Sequence, residues 1–119
     1  MKSKHHYIQK FLTMVWSIVL VKVYFTDLSE YKVRPVYVFK KYDDEDYMFL
    51  PLSSNINRNG ILIDKSSLKS WSLDRDSIVI IPKIWIIHNT LIIKKIWILT
   101  SRKILEIQKQ LCDDLWCSN

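Results

Sequence analysis

The stretch VYFTDLSEYKVRPVYVF, Val23 to Phe39, sets polar and charged side chains between two apolar runs. Thr26, Asp27, Ser29 and Glu30 crowd one loop, Tyr31 and Lys32 follow, and Arg34 stands directly before Pro35 and the next apolar run. A guanidinium is a planar fork of fixed donors that meets phosphate oxygens in pairs. It hardly ever deprotonates, so it suits charge compensation far better than proton abstraction. Proline fixes the backbone beside it, so Arg34 would leave the chain at a defined angle. Asp27 and Glu30 are the nearby carboxylates able to accept a proton. A second polar group ends an apolar run at FLPLSSN, where the side chains of Ser53, Ser54 and Asn55 can each donate a hydrogen bond. There is also a plainer reading. An arginine before a strand is commonly a surface charge, and Thr26-Asp27-Leu28-Ser29 reads as turn residues bonding their own backbone.

The totals bound what such groups can serve. At 119 residues the chain makes one domain, and 49% apolar content is too much for a disordered one. A formal charge of +6 favours an anionic partner such as nucleic acid or a membrane surface. Cys112 and Cys117 lie near the end with no secretory pattern ahead of them, which suggests a cytoplasmic protein with free thiols. No cluster has metal-ligand spacing and no cofactor motif is present, so neither a metal nor a cofactor is expected. His5 and His6 read as tail, and His88 as a hairpin tip. No membrane span is expected. Met14 to Val21 is apolar but closed by Lys10 and Lys22, and Ile84 to Leu99 is broken by His88, Asn89, Lys94 and Lys95.

The elements that must position these groups are mostly strands, since Val, Ile, Tyr and Phe dominate. Ile18 to Phe25 reads as a first strand and Pro35 to Lys41 as a second. Tyr42 to Asp46 reads as an acidic hairpin tip. Tyr47 to Ser53 returns as a third strand, where Pro51 suggests an edge or a bulge. Gly60 to Ile63 is a short fourth. Asp64 to Asp76 is polar, with one helical turn at Ser66 to Ser70. Ser77 to Ile87 reads as one long strand, Asn89-Thr90 as a tight turn, and Leu91 to Leu99 as the sixth strand. Ile104, Ile107, Leu111 and Leu115 then mark the face of an amphipathic helix, with Thr100 or Ser101 able to cap it. Six short strands and one helix suggest a half-open barrel or a sandwich with a helix packed on it.

SIVLVKVYFTDLSEYKVRPVYVF resembles the first hairpin of the MazF/PemK toxins of bacterial toxin–antitoxin pairs: a strand, Phe-Thr-Asp-Leu-Ser, a loop, Lys-x-Arg-Pro and a second strand. FLPLSSN, SIVIIPKIWII and LIIKKIWILT with the final helix resemble later family segments in the same order. The resemblance runs over residues 15 to 115, giving a toxin domain at 14–119 behind an N-terminal extension at 1–13. It implies a mainly β fold, a small SH3-like barrel of the CcdB/PemK type with a C-terminal α-helix. It also implies a homodimer that cleaves single-stranded RNA without metal and is neutralised by a cognate antitoxin, with promoter DNA bound through the antitoxin complex. By that likeness Arg34 and Ser53 carry the catalysis, with a serine where the family usually has threonine. Thr26, Asp27, Glu30, Ser54 and Asn55 would support them. Tyr31, Lys32, Lys65, Lys69 and the loop residue Trp71 would meet RNA, by stacking or at phosphates. Same-fold toxins that poison a protein of the gyrase type, and a barrel that binds without catalysis, are the alternatives.

One glycine against five tryptophans is unusual, since average usage predicts about eight glycines in such a chain. Trp16 and Trp97 stand where the resembled family commonly has glycine, and Trp71 lies in a loop that would read naturally with glycine. The expectation is that several of the five, Trp16, Trp71, Trp85, Trp97 and Trp116, stand for glycine encoded by UGA, a codon that some bacteria read as glycine and others as tryptophan.

Overall fold

The computed structural model describes residues 14–24, 27, 29–69 and 75–115. The N-terminal extension, Thr26, Trp71, Trp116 and Cys117 lie outside the described residues.

Among the described residues, seven antiparallel strands make a small curled sheet and one α-helix packs on it. The strands are β1 (Ser17–Tyr24), β2 (Tyr31–Lys41), β3 (Asp46–Ser53), β4 (Gly60–Ile63), β5 (Ser77–Ile80), β6 (Trp85–His88) and β7 (Ile92–Ile98); helix α1 spans Ser101–Asp114. The order is β4-β5-β3-β2-β1-β7, with β6 pairing the other stretch of β3. This is the barrel-with-helix fold expected from the sequence, with three corrections. The stretch read as one long strand is two, β5 and β6, because Ile81-Pro82-Lys83-Ile84 intervene and Pro82 has no N–H to continue a ladder. The tight turn at Asn89-Thr90 is a 3-10 turn over Asn89–Leu91, where the His88 ring nitrogen accepts from the Thr90 N–H at 3.2 Å. Strand β2 starts at Tyr31 rather than Pro35, which puts Lys32 and Arg34 inside it.

The central strands are apolar on both faces because both faces are covered. Ile18, Tyr37, Leu50, Ile63, Val79 and Leu99 form one core, onto which α1 inserts Ile107. Val19, Val21, Val36, Val38, Tyr47 and Ile87 form a second. Alternation along β1 and β2 sends neighbouring residues into different cores, so these strands read as unbroken apolar runs. The helix starts where the sequence suggests. The Thr100 hydroxyl accepts from the Lys103 N–H at 3.2 Å, and Ile104 and Leu111 flank Ile107 against the core. Leu115 lies just past the last turn and is exposed.

Two backbone positions need a glycine-like conformation. Gly60 has φ +154°, and a Cβ there would run into the Val79 carbonyl oxygen, so only glycine fits the β4–β5 pairing. Trp16 has φ +72°, the one positive φ at a non-glycine position among the described residues. Trp85 and Trp97 have no such φ and sit within strands β6 and β7, where aromatic residues are favoured.

Candidate functional site

Two prolines open the site. In the β2–β3 ladder Val36 pairs with Pro51, and the same register carried two residues outward sets Arg34 across from Ser53. Neither Pro35 nor Pro51 has an N–H to give, and the ladder stops at Val36–Pro51. Beyond that point β3 leaves β2 and pairs with β5, Leu52 with Val79 and Ser53 with Ile78. Pro51 therefore marks neither an edge nor a bulge. It marks the point where one strand passes between the two halves of the sheet.

The gap left between β2 and the departing β3 is a cavity of about 800 Å³, lined by both Arg34 and Ser53. Ser54 and Ser77 add hydroxyls to its wall, and Phe49, Pro51, Trp85 and Trp97 form much of its apolar side. Four cations reach it from four elements: Arg34 from β2, Arg58 from the β3–β4 turn, Arg75 just before β5, and Lys83 from the β5–β6 connection. No carboxylate or imidazole is among the described residues that line it. Among the described residues the ion pairs are His88–Glu45 and Lys103–Glu106, so none of the four cations is paired to a carboxylate there. The Lys83 ammonium lies 5.8 Å from the ring centroid of Trp85, which is 53% exposed. The acidic turn Asp43 to Asp46 sits at the closed end of the same hairpin, roughly 23 Å away by strand rise. The charged side chains among the described lining residues are thus all positive.

Ser53 is held in place. Its Oγ accepts the Asn55 N–H at 3.1 Å, so its own proton remains to be donated elsewhere. That bond supplies the restraint on the side chain that a threonine methyl would otherwise give. Asn55 does not line the cavity but shapes its rim. Its Oδ1 accepts the Asn57 N–H at 3.1 Å and its carbonyl accepts the Arg58 N–H at 3.2 Å, which turns the chain so that Arg58 reaches the cavity.

The other residues singled out from the sequence are not gathered here. Asp27 accepts the Ser29 N–H at 3.1 Å, and its bonds to Ser29 hold its carboxyl below the usual range, which makes it a weaker base. Neither Asp27 nor Glu30 lines the cavity. Tyr31 is an odd-numbered residue of an unbroken stretch of β2 and so faces away from Arg34. It meets the Tyr24 ring at 5.3 Å and the Lys22 ammonium at 5.0 Å. Lys32 shares the Arg34 face but lies outside the cavity lining. Lys65 sits on the 3-10 turn Lys65–Ser67. Lys69 donates its N–H to the Ile98 carbonyl at 2.8 Å, near the start of α1, and neither lysine lines the cavity. Arg58, Arg75 and Lys83 carry no mark in the sequence, and Trp85 stands out there as a glycine candidate rather than as a site residue. Each lies in or beside a turn distant in sequence from Arg34, and only the strand order brings them together. Among the described residues no three of His, Cys, Asp and Glu gather as a metal site, and no helix is long and apolar enough to cross a membrane.

No family model matches the sequence, and no curated protein matches it. The fold does have a counterpart among solved structures. The Mycobacterium tuberculosis toxin MazF-mt6 superposes with a TM-score of 0.65 at 14% identity, covering 87% of this chain and 99% of that one. At that identity the likeness establishes a MazF-like fold.

Proposed function

We propose that this chain is an endoribonuclease toxin that cuts single-stranded RNA at the Arg34–Ser53 cleft, works as a homodimer in the cytoplasm, and is neutralised by a cognate acidic antitoxin. One observation carries the reading: on a MazF-like fold, a guanidinium and an oriented hydroxyl line one cavity that holds cations, hydroxyls and apolar walls but no described carboxylate. That lining suits a phosphodiester with its bases, and it equally attracts the carboxylates of an acidic antitoxin segment. The 2′-hydroxyl of the substrate attacks the adjacent phosphorus. The new O–P bond gives a 2′,3′-cyclic phosphate, and the bond to the 5′-oxygen breaks. The hydroxyl proton leaves to water and the leaving oxygen takes one back. Arg34 offsets charge on the phosphoryl oxygens, and Ser53 donates to one of them. DNA lacks the attacking hydroxyl, so it binds without being cut.

The lining also favours a second reading. The described lining holds no carboxylate or imidazole to take the proton, and a barrel that only binds nucleic acid would have the same wall. Incubation with single-stranded RNA in EDTA separates the two. The proposal expects fragments ending in a cyclic or opened phosphate and beginning with a free 5′-hydroxyl, and no cutting of the matching DNA. Intact RNA in every sequence context would favour the binding module.

A further inference from the structure

The cavity carries more positive charge than one phosphate requires. A phosphodiester brings one negative charge, whereas Arg34, Arg58, Arg75 and Lys83 bring four positive ones, with no described carboxylate to offset them. Arg34 suffices, with Ser53, for a single phosphate at the β2–β3 cleft. Arg58 and Arg75 approach from other elements. Arg58 rides the turn closed by its N–H to the Asn55 carbonyl at 3.2 Å. Arg75 precedes Ser77, the first residue of β5, which pairs with Ile63. Both side chains are exposed, and neither pairs with a carboxylate among the described residues. Keeping three unpaired guanidinium groups on one recess costs mutual repulsion, which an anionic chain passing through it relieves.

We infer that Arg58 and Arg75 form a second anion subsite that binds a phosphate neighbouring the one held at Arg34 and Ser53. The cavity therefore reads a run of at least two phosphates rather than a single linkage. This rests on the nucleic-acid reading of the cleft, but its test does not depend on cutting.

The test uses uncleavable 2′-O-methyl RNA oligonucleotides and follows binding by fluorescence anisotropy across a salt series. A dinucleotide with one phosphodiester is expected to bind weakly, with an affinity that Arg58→Ala and Arg75→Ala leave nearly unchanged. A hexanucleotide is expected to bind more tightly and to show a steeper salt dependence. The double variant Arg58→Ala/Arg75→Ala should lower that slope by about 0.7, the value for one phosphate contact on a single strand, and each single variant by a part of that. Arg58→Lys, which keeps the charge, should restore most of the slope, and unchanged melting temperatures confirm that the variants fold. A hexanucleotide slope unaffected by either alanine variant overturns the second subsite, even if the wild type cuts RNA. The expected slopes without RNA cutting would uphold the subsite and sink the nuclease reading. Failure of the wild type to bind any oligonucleotide overturns both.

Discussion

The Ser53 hydroxyl accepts the backbone N–H of Asn55 at 3.1 Å, which leaves its own proton to be donated. A phosphate oxygen in the cavity is the natural acceptor. Ser53→Ala should therefore slow single-turnover RNA cleavage by about 10²-fold, the usual effect of removing one donor to a developing oxyanion. Ser53→Thr keeps the donor and should stay within a few fold of the wild type. Full activity in the alanine variant would remove Ser53 from the chemistry.

Trp16 is the position where sequence and backbone disagree. Its φ of +72° costs a non-glycine residue about 1–2 kcal/mol. Its ring packs on the core beside α1, so replacing it also loses contact. The two effects separate by comparing two variants that both lack the ring. Trp16→Gly should be more stable than Trp16→Ala by about 1 kcal/mol in urea unfolding, the reverse of the usual order in regular structure. If alanine proves the more stable, the backbone there does not call for glycine. Where UGA encodes glycine at this position, the protein from its own cells would also be lighter by one indolylmethyl group.

Much of the fold can be read from the sequence because its signals are local. The i, i+3, i+7 spacing from Ile104 and the Thr100 cap identify α1, and runs of β-branched, aromatic and other apolar residues identify β1 to β4. The split between β5 and β6 was harder to see, because the apolar run continues on both sides of Pro82 and hides the break. Arg34 and Ser53 stand out through a resemblance that spans the first hairpin and the third strand. Arg58, Arg75 and Lys83 carry no local mark. An arginine in a turn looks like any solvated charge until the β4-β5-β3-β2 order brings three turns to one recess. Tyr31 shows a different limit. The apolar run suggests a β2 that starts four residues later, at Pro35, and only the observed start at Tyr31 reveals the alternation that turns its ring away from Arg34.

Asp64 caps the 3-10 turn before the Leu68–Leu99 bridge. Its carboxylate accepts from the Ser66 hydroxyl at 2.6 Å, the Ser66 N–H at 3.0 Å and the Ser67 hydroxyl at 3.2 Å. The Ser66 hydroxyl is the main cause that holds its pKa below 3.8, and Lys103 adds to the effect. A carboxyl whose pKa is lower in the folded state stabilises the fold above its unfolded pKa and loses that contribution as pH falls through the folded one. The urea midpoint should therefore drop as pH is lowered below about 4, and Asp64→Asn should show a smaller drop. Asp27, held low by its bonds to Ser29, keeps the remainder. Equal acid sensitivity in wild type and variant would show that the cap contributes nothing.

Buried among the first core, the Tyr37 hydroxyl has no hydrogen-bond partner among the described residues, and burial pushes its pKa upward. Tyr37→Phe removes an unsatisfied polar atom and keeps the ring. It should raise stability by about 1 kcal/mol, read as a higher urea midpoint. A clear loss of stability would mean that the hydroxyl is bonded after all.

The central claim is tested most directly at Arg34, by the rate of cleavage of one defined single-stranded RNA in EDTA under single-turnover conditions. The account predicts at least a 10²-fold loss for Arg34→Ala and only partial recovery for Arg34→Lys, since an ammonium cannot offer the paired donors of a guanidinium. A variant without the guanidinium that still cuts at the wild-type rate would contradict it.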